Sequence, residues 1–410
     1  MFESLDAVPW SNLGHAYGTA EDVPVLLRQA MSDNQDERNE AWNELYGNLW
    51  HQGTVYEATA PAVPFLIDML DADLSPCRQE AANYLIALAH GNSYLDVHAP
   101  LFPEVFANKE AELNEELHWV AAARAAVAAG GERYRALFAS KNAPPVRAAL
   151  VRLMALAESA RYVAGIAADD PQVEVRAAAA LVLSGCGDRC QVPPAAGQPD
   201  TEGIAAAMAS LAQADADPYV RWCAALAAVR RAGDDAGQVA IAAVTAALIH
   251  QSPAGIDDLL EEIGWDPPEA AYLAPMALRA CSDAELASVI AGLAGGMADM
   301  KPPHRTDLAM QILEIAVPER PFSPTRRLAL AELTARERHA LEVLAACPAL
   351  WTDEGRPRHR MEPLKPYGLS WSRIELQDYL ADKPPVPPTP PKPPPPPQTT
   401  VLKAWWNPWS

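Results

Sequence analysis

The sequence predicts an all-α protein, a right-handed α-solenoid of stacked antiparallel helix pairs followed by a proline-rich carboxyl-terminal tail. Three observations support this fold class. The chain repeats one segment at a fixed interval, alanine is far more common in it than phenylalanine and β-branched residues, and prolines divide it into pieces of helical length. Closely packed helices favour alanine, whereas sheets favour aromatic and β-branched side chains.

The repeated segment is Val23–Leu45, which returns forty positions later as Val63–Leu85. In each copy a proline stands in the first turn of a helix, where its missing N–H costs nothing, and a second helix follows. A period of this size with two helices is typical of HEAT and armadillo arrays. The equivalent positions are Val23 and Val63, Leu26 and Leu66, Arg38 and Arg78, Ala41 and Ala81, and Leu45 and Leu85.

Capping residues and prolines predict where individual helices begin and end. We expect Asp33 to cap the second helix, because aspartate accepts hydrogen bonds from the first free N–H groups of a helix. Ser75 is expected to open the partner helix, which runs to about His90. A looser third unit is expected to contain an alanine-rich helix over residues 117–129.

Composition changes along the chain predict its domain organisation. Residues 1–346 are expected to form the helical array, with an inserted loop over residues 184–203, where glycine and proline exclude a helix interior. Residues 347–382 are expected to form an irregular cap with one helix. Residues 383–400 predict a polyproline linker, because consecutive prolines enforce an extended conformation, and residues 401–410 form a tryptophan-rich tail.

The net charge of −21 is concentrated at the amino-terminal end. Residues 1–120 contain twenty Asp and Glu residues and four Lys and Arg residues, a net charge of −16. Such a surface repels nucleic-acid phosphates and attracts basic partners. We therefore expect another protein, a basic one, as the partner, and no nucleic acid; the charge also serves solubility, which is the simpler interpretation.

The six cysteines are scattered and do not form a disulfide framework, so we expect reduced thiols. The first residues lack the basic and apolar regions of a secretion signal. No stretch is apolar for long enough to cross a membrane. These features predict a cytoplasmic protein that does not enter a membrane, with its oligomeric state undetermined.

Sequence motifs for catalysis or metal binding are absent: there is no HExxH, paired CxxC, phosphate-binding Gly-Lys-Ser loop or GxSxG. Cys186 and Cys190 form the nearest approach to a ligand pair, but a second pair is missing, so a zinc site is the less favoured interpretation. His90 stands at a predicted helix end, where a histidine commonly interacts with the helix dipole. We therefore expect no cofactor, no metal and no assigned catalytic residue.

The most specific polar segment is the loop His51–Glu57 between the first two repeats. Gly53 permits an unusual backbone angle there. We expect His51, Gln52, Tyr56 and Glu57 at one rim of the array, as candidate binding residues. Imidazole, phenol and carboxylate could also perform acid–base chemistry, but packing between repeats is the commoner role of such a loop.

The carboxyl-terminal tail provides a second set of candidate binding residues, Trp405, Trp406 and Trp409. Three exposed indoles would be unusual in a soluble protein. Either they dock on the helical body or they bind a partner; simple disorder is the third possibility. The preceding proline-rich segment is interpreted as a spacer, with recognition by an SH3- or WW-like module as the alternative.

The pattern Asp-Pro followed by Val-Arg, at Asp170–Arg176 and Asp217–Arg221, resembles the second helix of HEAT repeats. In that family these residues join neighbouring repeats, which implies that Asp170, Arg176, Asp217 and Arg221 are structural; each Asp-Pro pair also suggests an N-cap. The stretch HQGTVYEATAPAVP, residues 51–64, resembles a segment of bacterial HEAT-repeat (armadillo-like) proteins, best over residues 10–90. The resemblance implies a solenoid fold and a bacterial cytoplasmic setting, but no active residues.

Two classes of function remain open at this point. A solenoid exposes a long concave face, so the first hypothesis is a protein-binding scaffold. The sharpest version of this hypothesis is an immunity-type neutraliser of a basic toxin. The second is an enzyme of HEAT-like fold, resembling alkylpurine DNA glycosylases or bilin lyases. A glycosylase needs a basic groove, which the acidic first third argues against. A lyase predicts that several of His51, Tyr56, Glu57 and Cys77 converge in a deep pocket.

Overall fold

A computed structural model describes residues 4–71, 75–99, 104–140, 142–186, 201–316, 327–351 and 364–383. The described chain is predominantly helical, which confirms the all-α class. The helices of the first half are α1 (Val23–Gln29), α2 (Gln35–Asn48), α3 (Thr59–Met69), α4 (Ser75–Ala89), α5 (Tyr94–His98), α6 (Glu110–Ala128), α7 (Gly131–Ala139), α8 (Pro144–Met154), α9 (Ala160–Asp169) and α10 (Val173–Ser184).

The loop predicted over residues 184–203 is shorter than expected, because α10 includes Ser184 and α11 begins at Thr201; residues 187–200 lie outside the described ranges. The helices of the second half are α11 (Thr201–Ala214), α12 (Pro218–Ala232), α13 (Gln238–Ala247), α14 (Ile256–Glu262), α15 (Ala270–Leu278), α16 (Asp283–Gly296), α17 (Pro302–Ala316), α18 (Ala335–Ala346) and α19 (Arg373–Leu380). The predicted cap helix near the carboxyl-terminal end corresponds to α19.

Two small antiparallel hairpins were not predicted. The first pairs β1 (Gly14–His15) with β2 (Gly18–Thr19), and the second pairs β3 (Trp50–His51) with β4 (Thr54–Val55). The second hairpin occupies most of the predicted inter-repeat loop. Strands of two residues are too short to show an alternating apolar pattern, so the sequence gives no signal for them.

Helix boundaries agree with the sequence for α4 and differ for α2 and α6. Asn34, and not Asp33, is the N-cap of α2; its side chain accepts a hydrogen bond from the backbone N–H of Asp36. The helix predicted over residues 117–129 begins seven residues earlier, at Glu110. Its first turns are acidic and polar, so apolar spacing does not reveal them, although negative charge favours a helix amino terminus.

Alanine packing builds the centre of the helical array. Helix α10 contacts α8, α9 and α12, and Ala177, Ala178, Ala179 and Ala180 on it are fully buried. A helix whose consecutive alanines are all buried is covered on every side. The missing side-chain bulk lets neighbouring helices approach closely, which explains the composition from which the fold class was predicted.

Two arginine–aspartate ion pairs connect helices that follow one another in the chain. Arg147 of α8 pairs with Asp170 at the end of α9, with Nη2 to Oδ2 at 2.6 Å. Arg176 of α10 pairs with Asp215 beyond α11, at 3.2 Å. Gln172, and not Asp170, precedes α10 as its N-cap.

The next unit repeats the arrangement with backbone acceptors. Arg221 donates to the carbonyl oxygens of Asp215 and Ala216. Asp217 is the N-cap of α12, as expected, and accepts from the N–H groups of Tyr219 and Val220. The four residues Asp170, Arg176, Asp217 and Arg221 therefore all make structural contacts.

Candidate functional site

The predicted rim residues lie on or beside the β3–β4 hairpin. The turn requires positive φ at Gln52 (51°) and Gly53 (93°), the second of which the sequence anticipated. The Nδ1 atom of His51 lies 3.2 Å from the Tyr17 hydroxyl, and the two rings meet edge to face. The His51 ring is therefore engaged with the β1–β2 region, whereas Gln52 is exposed.

Tyr56 and Glu57 also contact their own protein. The Tyr56 hydroxyl lies 2.9 Å from Oγ1 of Thr54, and burial raises the pKa of that phenol. Oε2 of Glu57 accepts a hydrogen bond of 3.1 Å from the backbone N–H of Gly14. Glu57 and His51 thus connect the regions of the two hairpins, which is a packing role. Their role in binding a partner stays a prediction.

Asp22 also connects the region of the first hairpin to its neighbours, a role that the sequence does not predict. Its Oδ1 lies 3.0 Å from Nε2 of His15, and its Oδ2 accepts from Nδ2 of Asn48 at 2.7 Å. One carboxylate therefore joins the first hairpin to helix α2. The hairpins form a fixed edge beside the first helix pair.

The predicted tail residues Trp405, Trp406 and Trp409 lie outside the described ranges, as does Cys190. Cys186, the other half of the weak zinc pair, is buried, and burial raises the pKa of its thiol to about 11. Across the described part of the chain, no three His, Cys, Asp or Glu side chains are grouped so as to hold a metal ion.

A pocket of about 190 Å³ lies between the second hairpin, α2, α4, α8 and the segment after α14. Trp50, Ile86 and Ala87 provide its apolar lining. Its polar side chains are Tyr46, Asn83, His90, Arg152 and Asp266, with backbone from Gly53 and Gly264.

None of His51, Tyr56, Glu57 and Cys77 lines this pocket. Cys77 is buried elsewhere, with Sγ 3.6 Å from the carbonyl oxygen of Ala30, and burial raises the pKa of its thiol. The lyase hypothesis predicted that several of these side chains converge in a deep pocket, and they do not converge in this one. The polar groups that do converge come from other positions.

Arg152 connects two distant parts of the pocket wall. Its Nη1 donates to the carbonyl oxygen of Gly264 at 2.6 Å, and its guanidinium lies over the Trp265 ring, 5.0 Å from the centroid. The Trp265 indole in turn donates to the carbonyl oxygen of Cys186 at 3.2 Å. Residues 263–265 are thereby attached to the ends of α8 and α10.

Gly264 lets this segment approach α4 and α8 closely. Its φ is +68°, and a β-carbon there would lie 3.3 Å from the Asn83 side-chain oxygen and 3.6 Å from Nη1 of Arg152. An L-residue would be strained by both the backbone angle and the contact. Glycine at this position therefore keeps the segment against the pocket.

His90 is held in its neutral form, contrary to the helix-dipole role expected from the sequence. Burial, and to a smaller extent the charges of Arg152 and Arg124, lower the pKa of its imidazole to about 3. Its Nδ1 is buried without a hydrogen-bond partner among the residues that the structure describes. A neutral ring adds no charge with which to stabilise the negative end of α4.

Tyr46 lines the pocket on its α2 side, whereas its neighbour Glu80 on α4 does not line it. The Tyr46 hydroxyl is hydrogen-bonded to the Glu80 carboxyl. Burial, and then the Glu80 charge, raises the pKa of Tyr46, and burial raises the pKa of Glu80. The sequence does not predict this pocket, because its lining residues come from distant parts of the chain and form no motif.

Comparison with known proteins does not assign a family. No protein-family model matches the chain, and no curated protein matches it. Among solved structures, the chain is similar to the crystal structure of an engineered protein, with 17% identity, 79% of this chain and 88% of that chain covered, and a TM-score of 0.28. A similarity at that TM-score carries no structural or functional argument.

One further finding concerns membranes. Throughout the described ranges, no helix combines the length and the apolar character that crossing a bilayer requires.

Proposed function

We propose that this chain is a protein-binding scaffold of the HEAT-like solenoid type, whose acidic amino-terminal third captures a basic protein. The order of helix contacts supports a linear stack. Helix α4 contacts α8, α8 contacts α10, α10 contacts α12, and α12 contacts α15. Such a stack leaves a long flank available for another macromolecule.

The observation that carries the proposal is an exposed acidic stripe on α2, formed by Asp36, Glu40 and Glu44. The three residues are spaced four apart, so they lie on one face of the helix, and all are exposed. Arg38 is the only basic residue of α2, and it donates to the carbonyl oxygen of Ser32 at 2.7 Å. The stripe therefore presents unbroken negative charge to solvent.

Helix α6 adds further exposed acidic residues to the amino-terminal third. Glu110, Glu112 and Glu115 in its first two turns are exposed. Acidic residues at a helix amino terminus also stabilise the helix through its dipole. We propose that they bind a basic partner in addition to this structural role. Complementary charge raises the association rate of a basic partner and disfavours nucleic acid.

The sharpest form of the proposal is a bacterial cytoplasmic immunity-type protein that neutralises a basic toxin. Capture of basic proteins from an extract of the source cell tests it. The full chain should retain a basic protein that the variant Asp36→Asn, Glu40→Gln, Glu44→Gln retains poorly. The matched control carries Asp299→Asn, Asp307→Asn and Glu342→Gln, three exposed acids of the carboxyl-terminal half. Equal loss in both variants, or capture of acidic proteins alone, would contradict the proposal.

A further inference from the structure

The exposed ring of Tyr17 lies at one end of the acidic stripe of α2. A β-carbon at Gly47 would lie 3.8 Å from Cε2 of Tyr17, so the ring rests beside that position of the helix. Gly47 follows Glu44 by three residues and Asp36 by eleven, so it shares the helix face of the stripe. The stripe of Asp36, Glu40 and Glu44 therefore leads along one face to an aromatic ring.

Contacts within the chain fix the position of Tyr17 and leave its ring open. Its hydroxyl lies 3.2 Å from Nδ1 of His51, and its backbone N–H donates to Nδ1 of His15 at 3.0 Å. The residue is nonetheless 69% exposed. Since the polar groups of Tyr17 already have partners, its exposed surface is mainly the aromatic ring. A ring that is held in place before a partner arrives loses little freedom on binding.

An exposed carboxylate lies at the same end of α2. Nδ1 of His15 accepts a hydrogen bond, so a neutral ring carries its proton on Nε2, which lies 3.0 Å from Oδ1 of Asp22. Oδ2 of Asp22 accepts from Nδ2 of Asn48, the residue after Gly47. The Asp22 side chain remains exposed, and a carboxylate offers about four acceptor positions. The end of α2 therefore presents both a free ring and a carboxylate that can accept further hydrogen bonds.

The combination of an exposed aromatic ring and carboxylates suits an arginine side chain. A guanidinium stacks on aromatic rings and is more weakly hydrated than the ammonium group of lysine. Cation–π contacts accordingly involve arginine more often than lysine, and the planar guanidinium also donates parallel hydrogen bonds to a carboxylate. A lysine side chain is attracted by the carboxylates but gains less from the ring.

We propose that Tyr17 receives an arginine side chain from a basic segment of the partner that lies along the acidic stripe. This inference rests on the proposed function, because the stripe is what attracts the basic segment. The face from Asp36 to Gly47 is roughly 16 Å long, which an extended segment of about five residues covers. Tyr17 thus selects arginine over lysine at one end of the segment, whereas the carboxylates of the stripe attract both.

Fluorescence polarisation with labelled peptides tests the proposal on the full chain. The probes are hexa-L-arginine, hexa-L-lysine and hexa-L-citrulline, the last of which keeps the shape of the arginine side chain without its charge. We expect hexa-arginine to bind about two- to fivefold more tightly than hexa-lysine, and hexa-citrulline to bind least. Equal affinities for the arginine and lysine peptides would contradict the selection of arginine.

Substitutions at Tyr17 separate an aromatic contact from an apolar one. Tyr17→Leu keeps an apolar side chain and should weaken hexa-arginine by about two- to fivefold, which removes the preference over hexa-lysine. Tyr17→Phe keeps the ring and should retain the preference. Tyr272→Leu is the matched control, since Tyr272 on α15 is 50% exposed, and it should have no effect. A preference for arginine that survives Tyr17→Leu, or that Tyr272→Leu also removes, would overturn the proposal.

The triple change in the α2 stripe distinguishes failure of this inference from failure of the proposed function. It should weaken hexa-arginine and hexa-lysine alike, because it removes charge and keeps the ring. A triple variant that binds both peptides as wild type does would contradict the stripe as a binding surface, and with it the proposed function. Weaker binding by the triple variant with no effect of Tyr17→Leu would overturn the role of Tyr17 alone. No saturable binding of hexa-arginine up to about 1 mM would also overturn the role of Tyr17, while capture from the extract still decides the proposed function.

Discussion

Arg152 donates a hydrogen bond of 2.6 Å to the carbonyl oxygen of Gly264, a residue 112 positions later in the chain. The bond joins α8 to the segment that follows α14, and so closes one side of the pocket beside α4. Arg152 is buried with only 5% of its surface exposed. The contact therefore contributes to both the stability of the array and the shape of the pocket.

Replacing Arg152 by methionine should destabilise the protein by about 2–3 kcal/mol. The change leaves the carbonyl oxygens of Ile263 and Gly264 without this charged donor, and hydrogen bonds to charged groups contribute about 1.5–3 kcal/mol each. Urea unfolding followed by circular dichroism measures the loss. Arg230→Met, at an exposed position of α12, is the control and should change the midpoint little. Equal midpoints for the two variants would contradict the structural role of Arg152.

Gly233 and Gly237 provide a matched test of backbone packing. Both have positive φ, but a β-carbon at Gly233 would lie 2.4 Å from the carbonyl oxygen of Ala280, while one at Gly237 would meet nothing within 4 Å. Gly233 has φ 55° and ψ −125°, and Gly237 has φ 86° and ψ 155°, so each alanine substitution incurs backbone strain of about 1–3 kcal/mol. Gly233→Ala should cost at least about 1–2 kcal/mol more, since overpacking is added. Similar melting temperatures for both would show that Ala280 is not where the structure places it.

The buried and exposed ion pairs should differ in their contribution to stability. Arg176 and Asp215 have side chains only 13% and 8% exposed, whereas Arg28 and Asp6 are 43% and 75% exposed. Asp215→Asn leaves a largely buried guanidinium without its counter-charge and should cost about 2–3 kcal/mol. Asp6→Asn should cost less than about 1 kcal/mol. A double-mutant cycle with Arg176→Met measures the coupling, and a negligible coupling would contradict the proposed join between helix pairs.

The free energy of unfolding should decrease as the pH is lowered, because His90 is buried in its neutral form. The pKa of His90 is about 3 in the folded protein, whereas the ordinary value of 6.5 applies to the unfolded chain. Below pH 6.5 the unfolded chain binds this proton and the folded chain does not, so unfolding becomes easier by up to about 1.4 kcal/mol per pH unit until the pH reaches the folded value.

The variant His90→Gln isolates that effect from the titration of carboxylates. The difference in urea midpoint between wild type and His90→Gln should change steadily from pH 7 to pH 4, in the direction that disfavours wild type at the lower pH. His118→Gln, exposed on α6, should show no such trend. A difference that does not vary with pH would mean that His90 is not buried in its neutral form.

The sequence was informative where a pattern is local and limited where it is not. The forty-residue repeat predicted the first two helix pairs, and Asp217 was predicted as a cap because the N–H groups that donate to it lie within three residues. The sequence predicted Asp33 as the N-cap of α2, whereas the structure has Asn34 in that position. Both side chains can cap a helix, and only the backbone geometry distinguishes them. The start of α6 was missed because its first turns carry no apolar face.

The candidate site was predicted in part. The hairpin carrying His51 was recognised as a special segment, but its hydrogen bonds to Tyr17 and, through Glu57, to Gly14 depend on a first hairpin that has no sequence signal. The pocket was not predicted at all. Gly264 and Asp266 line the pocket because the segment following α14 packs against Arg152, 112 positions before Gly264 in the chain.

The association kinetics of the captured basic partner provide the most direct test of the proposal that charge on the amino-terminal third drives recognition. The rate constant should be measured by stopped-flow fluorescence from about 0.01 M to about 1 M salt, over which the Debye length falls from about 30 Å to about 3 Å. We expect the rate constant of the wild-type chain to fall at least tenfold and that of the Asp36→Asn, Glu40→Gln, Glu44→Gln variant to start lower and fall less. A rate constant that is independent of salt, or identical in the two proteins, would contradict the account.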